Sequence, residues 1–289
     1  MNQRPSLTRR RFLRTVRNAL LTTGLLTASG CSYSTLIEPG WLTVKQVTLP
    51  IQRLPAAFDG FRIAQISDLH LYPVTQLSHI QATIAEVNRL RPDLIVITGD
   101  LVQARADAIF ELAPALTALN APHGVYTILG NHDLWTNATV VRQGLAESRM
   151  PLLLNTGVEL TRGAARLFLA GLDDGWSGRP DLQQALAPCP ADLPAILLMH
   201  EPDFADRYAS DPRLVLQLSG HTHGGQVRLP GIGALVLPRY GRKYDLGLYR
   251  VGSMWLYTNP GIGLINPPFR FNCRPEITEL TLIAEEVQP

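Results

Sequence analysis

An α/β fold follows from three features of the sequence. Five apolar runs, "FRIAQISDLH" (61–70), "PDLIVITGD" (92–100), "GVYTILGNHD" (124–133), "AILLMHEPD" (195–203) and "LVLQLSGHTH" (214–223), each end in residues carrying Asp, Asn or His. Between the first two, Leu77, Ile80, Ile84, Val87 and Leu90 recur by threes and fours, as on one helix face. The remaining third, with "VELTRGAARLFLAGLDD", "LYRVGSMWLYTNP" and "EITELTLIA", reads as short strands completing a second sheet.

Taken in order, residues 1–31 differ in character from the rest. A cationic segment, a weakly apolar stretch over 19–28 and a run of small residues read as an export signal. The apolar stretch falls short of the roughly 20 residues a membrane-spanning helix needs. "TRRRFLR" (8–14) resembles the twin-arginine signal, in which paired arginines precede x-Phe-Leu and a basic residue. That resemblance implies the twin-arginine export machinery as a partner and a location in the periplasm or on the outer face of the cytoplasmic membrane, possible membrane association included. "ASGC" (28–31) resembles a lipoprotein processing site with Cys31 as the acylated residue, although Ala28 stands where leucine is usual. A basic surface helix is the plainer alternative.

Residues 32–58 read as a linker containing "EPGW" and a first short strand, and residues 59–289 as one domain with no repeat and no internal boundary. The second run is opened by Pro92, and a helical stretch over 108–119 separates it from the third.

The charged content of 17%, the hydrophobic content of 46% and the net charge of +2 describe an ordinary globular protein. No basic tract indicates a nucleic-acid partner. Cys31, Cys189 and Cys273 form no Cys-x-x-Cys pair, which excludes a zinc ribbon or a thioredoxin-type site. Cys189 and Cys273 read as unpaired or incidental, with a disulfide left open.

In α/β sheets, ligands bind beyond the carboxyl ends of the strands. Collected there are Asp68 and His70, Asp100, the trio Asn131, His132 and Asp133, then His200, His221 and His223. Five of the seven histidines lie in these blocks, whereas His79 and His123 read as surface or packing residues. An extended backbone would set His221 and His223 on one face about 6–7 Å apart, too wide for one ion but suited to two. By itself, "SGHTHGGQ" (219–226) is equally well read as a strand end and a Gly-rich turn.

Together and in this order the blocks resemble the calcineurin-like metallophosphoesterases, whose motifs run D-x-H, G-D, G-N-H-D, a single H and G-H-x-H. "EPGW" and "RFNCRPEITELTL" (270–282) extend the resemblance to the exported bacterial phosphodiesterase branch. It implies an α/β/β/α sandwich of four layers with two central mixed sheets. It also implies a dinuclear metal-dependent phosphoester hydrolase, in particular a phosphodiesterase, with a hydroxide bridging the metals as nucleophile. One metal would take Asp68, His70 and His223, the other Asn131, His200 and His221, with Asp100 shared. Two divalent ions bring four positive charges, of which the two carboxylates cancel half. Lowering the pKa of water from 15.7 to about 7 corresponds to roughly 12 kcal/mol in favour of hydroxide.

His132 would stabilise the phosphoryl oxygen or protonate the leaving group. Asp133 would orient His132 through a ring nitrogen, or be an ordinary turn aspartate. Carboxylate, imidazole and amide ligands without thiolate suit Mn, Fe or Zn. "PRYGRKYDLGLYR" (238–250) reads either as a cationic groove for an anionic substrate or as a solvated hairpin, and Trp135 as a wall of the site or a core residue. Pro260 stands where that branch often has an arginine, which removes an expected phosphate contact. The substrate would be a small-molecule or lipid-linked phosphoester. The rivals are hydrolysis of a UDP-linked acylated glucosamine precursor and a non-catalytic binding scaffold. The first is made on the cytoplasmic side, against an export signal; the second would be expected to lose motif residues.

Overall fold

Thirteen strands and six α-helices arise from the sequence in the computed structural model, which describes residues 8–285. The strands, in chain order, are β1 (Thr43–Ile51), β2 (Phe61–Ile66), β3 (Leu94–Thr98), β4 (Val125–Ile128), β5 (Thr156–Arg162), β6 (Ala165–Gly171), β7 (Ala195–Leu198), β8 (Leu214–Ser219), β9 (Arg228–Leu229), β10 (Gly233–Ala234), β11 (Gly247–Val251), β12 (Met254–Thr258) and β13 (Glu276–Ala284). The helices are α1 (Arg9–Ser32), α2 (Leu77–Leu90), α3 (Ile109–Leu116), α4 (Asn131–Glu147), α5 (Leu182–Ala185) and α6 (Ala205–Tyr208).

Two mixed sheets form the centre. The first has the order β1-β13-β2-β3-β4 and the second β11-β12-β8-β7-β6-β5. Strands β2, β3 and β4 are mutually parallel, as are β6, β7, β8 and β12. A strand covered on both faces reads as a continuous apolar run, because every side chain is buried whichever way it points. On β3, Leu94 and Val96 face the second sheet, where they meet Ile196, Leu198 and Leu216. Ile95 and Ile97 face the helices, where they meet Ile80, Ile84, Leu112 and Leu145. A third cluster packs α5 and α6 on the outer face of the second sheet through Leu186, Ala205 and Tyr208. The layers are therefore α/β/β/α, the sandwich the sequence predicts.

Helix α2 buries Ile80, Thr83, Ile84 and Val87, the face its periodicity marks, and stops where Arg91 turns left-handed at φ 51°. Each large aliphatic side chain so buried contributes about 1.5–3 kcal/mol. The helix expected over 108–119 is shorter, running from Ile109 to Leu116. The segment expected as a linker with a short strand differs more. Strand β1 pairs with β13 in parallel over its whole length, and its Leu49 and Ile51 are fully buried, so the sheet begins well before residue 59. Upstream, the buried carboxylate of Glu38 accepts the backbone N–H groups of Asn272 and Cys273.

Residues 1–7 of the expected export signal lie outside the described residues. From Arg9 onward the signal segment is one exposed helix with Cys31 exposed near its end. No helix among the described residues is long and apolar enough to cross a membrane. Cys189 and Cys273 are both free and buried, and His123 packs its ring against Phe58 and Phe61.

Candidate metal centre

The carboxyl ends of β2, β3, β4, β7 and β8 converge where the two sheets meet. Gln65 of the first sheet donates to the carbonyl of Ser219 in the second at 2.9 Å. The Asp68 carboxylate accepts the backbone N–H of His221 at 3.0 and 3.1 Å. Glycine is required at this seam, since a Cβ on Gly220 would collide with Ser67 Oγ and the Asp68 carboxylate. Asp68, His70, Asp100, His221 and His223 all have positive φ, between 45° and 72°. Side chains rarely adopt that region, and such residues gather at functional sites.

This backbone corrects the extended-strand argument for His221 and His223. Strand β8 ends at Ser219, and the two histidines occupy a tight left-handed turn instead. The turn sends them to different neighbours. His223 Nε2 lies 3.3 Å from Asp68 Oδ1 and 2.9 Å from His70 Nε2. The His221 ring meets that of His200 edge-on at 5.0 Å. Between the two groups stands Asp100, whose Oδ2 is 3.5 Å from His70 Nε2 and 3.2 Å from His200 Nε2. Its other oxygen accepts the backbone N–H of His132 at 2.8 Å.

For His200 and His221, a hydrogen bond on the far side of the ring fixes which nitrogen faces the site. His200 donates Nδ1–H to the Thr98 carbonyl at 2.7 Å, which turns Nε2 inward to Asp100. His221 donates Nε2–H to the Arg239 carbonyl at 2.7 Å, leaving Nδ1 without a partner. Asn131 Oδ1 is likewise buried and unpartnered. Ligand atoms of Asp68, His70 and His223 lie within 4.8 Å of one another, as do those of His70, Asp100 and His132, and of Asp68, Asp100 and His200.

The electrostatics call for cations. Burial pushes the Asp68 carboxyl up, but the imidazoles of His223 and His70 outweigh it and hold the group well below the usual carboxylate range. Asp100 behaves alike: burial opposes ionisation, and His200, His70 and His132 prevail, leaving it lowered. Burial lowers His221 and His223 to about 4, so both rings are neutral bases at neutral pH. Burial also lowers His200, but the charge of Asp100 overrides it and raises the ring well above its usual value. Buried ionised carboxylates require positive charge beside them, and the neutral rings of His221 and His223 leave donor atoms free for a cation. The residues present therefore fit divalent metal ions.

Asp133 does not orient His132. Its carboxylate accepts the N–H groups of Gly130, Leu101 and Val102 at 2.9–3.2 Å, capping α4 and bracing the chain beside Asp100. The His132 ring instead sets Nδ1 3.3 Å from the Gln103 carbonyl. The reason is helical geometry: at the third position of α4, Asp133 points back to the free N–H groups of the helix start.

A cleft of about 210 Å³ opens over the cluster, lined by Asp100, Asn131, His132, Trp135, Trp176, His221, His223, Pro238 and Ile265. Trp135 is 50% exposed and contacts the rings of His132 and Trp176, which makes it a wall of the site and not a core residue. Trp176 is missing from the sequence-based set. It follows β6 in "DDGWSG", and the buried Glu201, next to His200, holds its loop by accepting the N–H groups of Gly175 and Trp176. The run of strand-end motifs offered a signal here, because "LFLAGLDD" also ends in carboxylates.

The loop over 238–250 is not a cationic groove over the ligand cluster. Lys243 pairs with Asp206, Arg250 stacks on Trp255, and only Pro238 reaches the cleft; the loop's contribution is the carbonyl that orients His221. Behind Asp68, Gly261 has φ 76° and Gly263 donates to the Asp68 carbonyl at 2.7 Å. The fully buried Arg270 braces this segment through the carbonyls of Pro260, Gly261, Gly263 and Cys273.

The sequence profile of the family described as calcineurin-like phosphoesterase matches residues 61–225. The chain is 38% identical over 280 residues to the uncharacterized metallophosphoesterase YkuE of Bacillus subtilis, an overlap of 96% of this chain and 98% of that one. It is 31% identical over 281 residues to the phosphodiesterase YaeI of Escherichia coli, an overlap of 96% and 100%. Among solved structures, TT1561 of Thermus thermophilus has a similar fold, with a TM-score of 0.50 at 14% identity over 70% of this chain and 90% of that one.

Proposed function

Because this chain belongs to the calcineurin-like phosphoesterase family and is a metal-dependent phosphoesterase, we propose that it is a phosphodiesterase that works with two divalent cations. Asp68, His70 and His223 would hold one cation, and Asn131, His200 and His221 the other. Asp100 is shared. The observation that carries this reading is the position of Asp100 Oδ2 between His70 Nε2 and His200 Nε2, at 3.5 and 3.2 Å. Mn, Fe and Zn match the donor set. The chemistry such cations supply is Lewis acidity, which polarises a phosphoryl oxygen and lowers the pKa of water from 15.7 towards about 7.

The remaining work falls to the chain. His132 lines the cleft with its Nδ1 on the Gln103 carbonyl, so its Nε2 serves a phosphoryl oxygen or the leaving alkoxide. Asp133 keeps Asp100 and the start of α4 in register, and the walls formed by Trp135 and Trp176 limit water around the reacting group. Occupied positions throughout the motifs favour a working enzyme over a scaffold.

Preference for diesters is supported by the relative named as a phosphodiesterase. Purified, metal-loaded protein should cleave an aryl phosphodiester with higher kcat/KM than the matching monoester. A clear monoester preference would overturn the reading. Export through the twin-arginine route is part of the same proposal, supported by "TRRRFLR" at the start of α1.

A further inference from the structure

The hairpin of β9 and β10 stands directly on the turn that carries His221 and His223. Leu235 donates its N–H to the Val227 carbonyl at 3.2 Å, and a Cβ on Gly225 would fall on Ala234. Over "LPGIGALVLP" (229–238) the chain has no polar side chain. Its large apolar residues point outward: Ile232 is 73% exposed, Leu235 54% and Val236 77%. An apolar surface of this kind beside a catalytic cleft is a contact surface.

A second apolar segment meets it. Arg228 donates its N–H to the Phe271 carbonyl at 2.9 Å, and Phe271 donates to Gln226 at 2.8 Å. The ring of Phe271 packs edge-on against Tyr33 at 6.4 Å, and Leu36 and Ile37, just beyond Tyr33, are exposed. The end of the N-terminal helical segment is thus joined to the base of the hairpin through Phe271. Charge complements it: Arg239 and Arg242 follow the hairpin, both exposed and, among the described residues, without an ion pair. An apolar tip with unpaired arginines behind it matches the layering of an anionic bilayer, acyl chains below phosphate headgroups.

We propose that this hairpin docks the enzyme on an anionic lipid bilayer, with Ile232, Leu235 and Val236 in the acyl region and Arg239 and Arg242 among the headgroups. Docked in this way, the cleft between Trp135, Pro238 and Ile265 faces the phosphodiester of a membrane lipid. The substrate half of this inference rests on the phosphodiesterase reading; the docking half does not.

The test uses the full metal-loaded chain. Cys31→Ser with Ile232→Cys gives one accessible thiol for an environment-sensitive fluorophore, since Cys189 and Cys273 are buried. Ala164→Cys, in the β5–β6 turn at the far end of the strands, is the control. On vesicles of phosphatidylethanolamine and phosphatidylglycerol, the probe at 232 should shift to the blue and be quenched by spin-labelled acyl chains, and the probe at 164 should not. Ile232→Glu, Leu235→Glu and Val236→Glu combined should weaken vesicle binding about tenfold or more and leave turnover of a soluble aryl phosphodiester unchanged. Arg239→Glu with Arg242→Glu should remove the preference over phosphatidylcholine vesicles. A probe at 232 that stays in water, or binding unaffected by the triple substitution, would overturn the docking. So would light scattering that shows the hairpin buried in a dimer which the triple substitution dissolves. Failure to hydrolyse the soluble diester would instead count against the phosphodiesterase reading.

Discussion

Asp100 Oδ2 stands 3.2 Å from Nε2 of His200, and the two residues belong to different sheets. Asp100 leaves β3 of the first sheet and His200 leaves β7 of the second. The same carboxylate is 3.5 Å from His70. One side chain therefore joins the two groups of candidate ligands across the seam of the sandwich, and the account turns on it.

Removal of metal should destabilise the fold as well as abolish turnover. The buried carboxylates of Asp68 and Asp100 lose positive neighbours once the cations leave, and the rings of His221 and His223 are neutral. Occupancy at a hundredfold over Kd contributes about 2.7 kcal/mol for each ion. Dialysis against a chelator should lower Tm by several degrees, and adding back manganese or zinc should restore it. An unchanged melt would mean that the cluster holds no ion in the folded state.

The seam between the sheets predicts the effect of Gly220→Ala. The added methyl has nowhere to go against Ser67 and the Asp68 carboxylate, and overpacking of this kind costs about 1–3 kcal/mol. Thermal unfolding should show that loss, with a matching drop in metal content because Asp68 is displaced. The same substitution at the exposed Gly163, where nothing lies near, meets no neighbour and should leave the metals in place.

How much of this was legible in the sequence depended on what each residue is for. The strand-end motifs were legible because strands β2, β3, β7 and β8 are largely buried on both faces, so a cluster of Asp, Asn, His and Gly after the last aliphatic residue marks where each strand leaves the core. Sequence leaves two roles open for Asp133, because adjacency is not contact between side chains; its helical position turns it to the N–H groups of Gly130 and Leu101, and His132 finds Gln103. The strand-end pattern of "LFLAGLDD" points to the loop that carries Trp176 but not to the ring itself, since an aromatic wall has no ligand chemistry to fix its position in a motif. Arg270 opens the "RFNCRPEITELTL" segment, yet its role was silent, as a guanidinium bonded to four backbone carbonyls depends on folds of the chain that no local pattern announces.

Acid should release the base of the exposed hairpin. Burial works to raise the carboxyl of Asp245, but Arg228 and the Tyr249 hydroxyl prevail and lower it. Arg228 meets it at 2.7 Å. A depressed folded value contributes stability above the unfolded value of about 3.9, and that contribution disappears as pH falls through the folded one. Asp245→Asn should therefore cost about 1 kcal/mol near pH 7, and the gap to the unsubstituted protein should close below about pH 4. Denaturant midpoints measured across that range would check it, and a gap independent of pH would refute the ion pair.

Export is testable separately from catalysis. Arg9 and Arg10 occupy the paired positions of the signal-like segment and lie in the first turn of α1. Arg9→Lys with Arg10→Lys should leave the precursor inside the cell on fractionation. Normal delivery, with Arg11 also replaced, would dispose of the twin-arginine route. Cys31→Ala should abolish incorporation of labelled fatty acid if that cysteine is the anchor.

The most direct test of the shared-ligand account is metal content beside steady-state kinetics for Asp100→Asn and His132→Ala. Asp100→Asn removes one of the two carboxylates from the cluster, so elemental analysis should find one ion or none per chain, with activity lost alongside. His132→Ala should keep two ions per chain and lose about 10²- to 10³-fold in kcat, because the ring serves the substrate. Two retained ions and full turnover in Asp100→Asn, or metal lost from His132→Ala, would contradict the account.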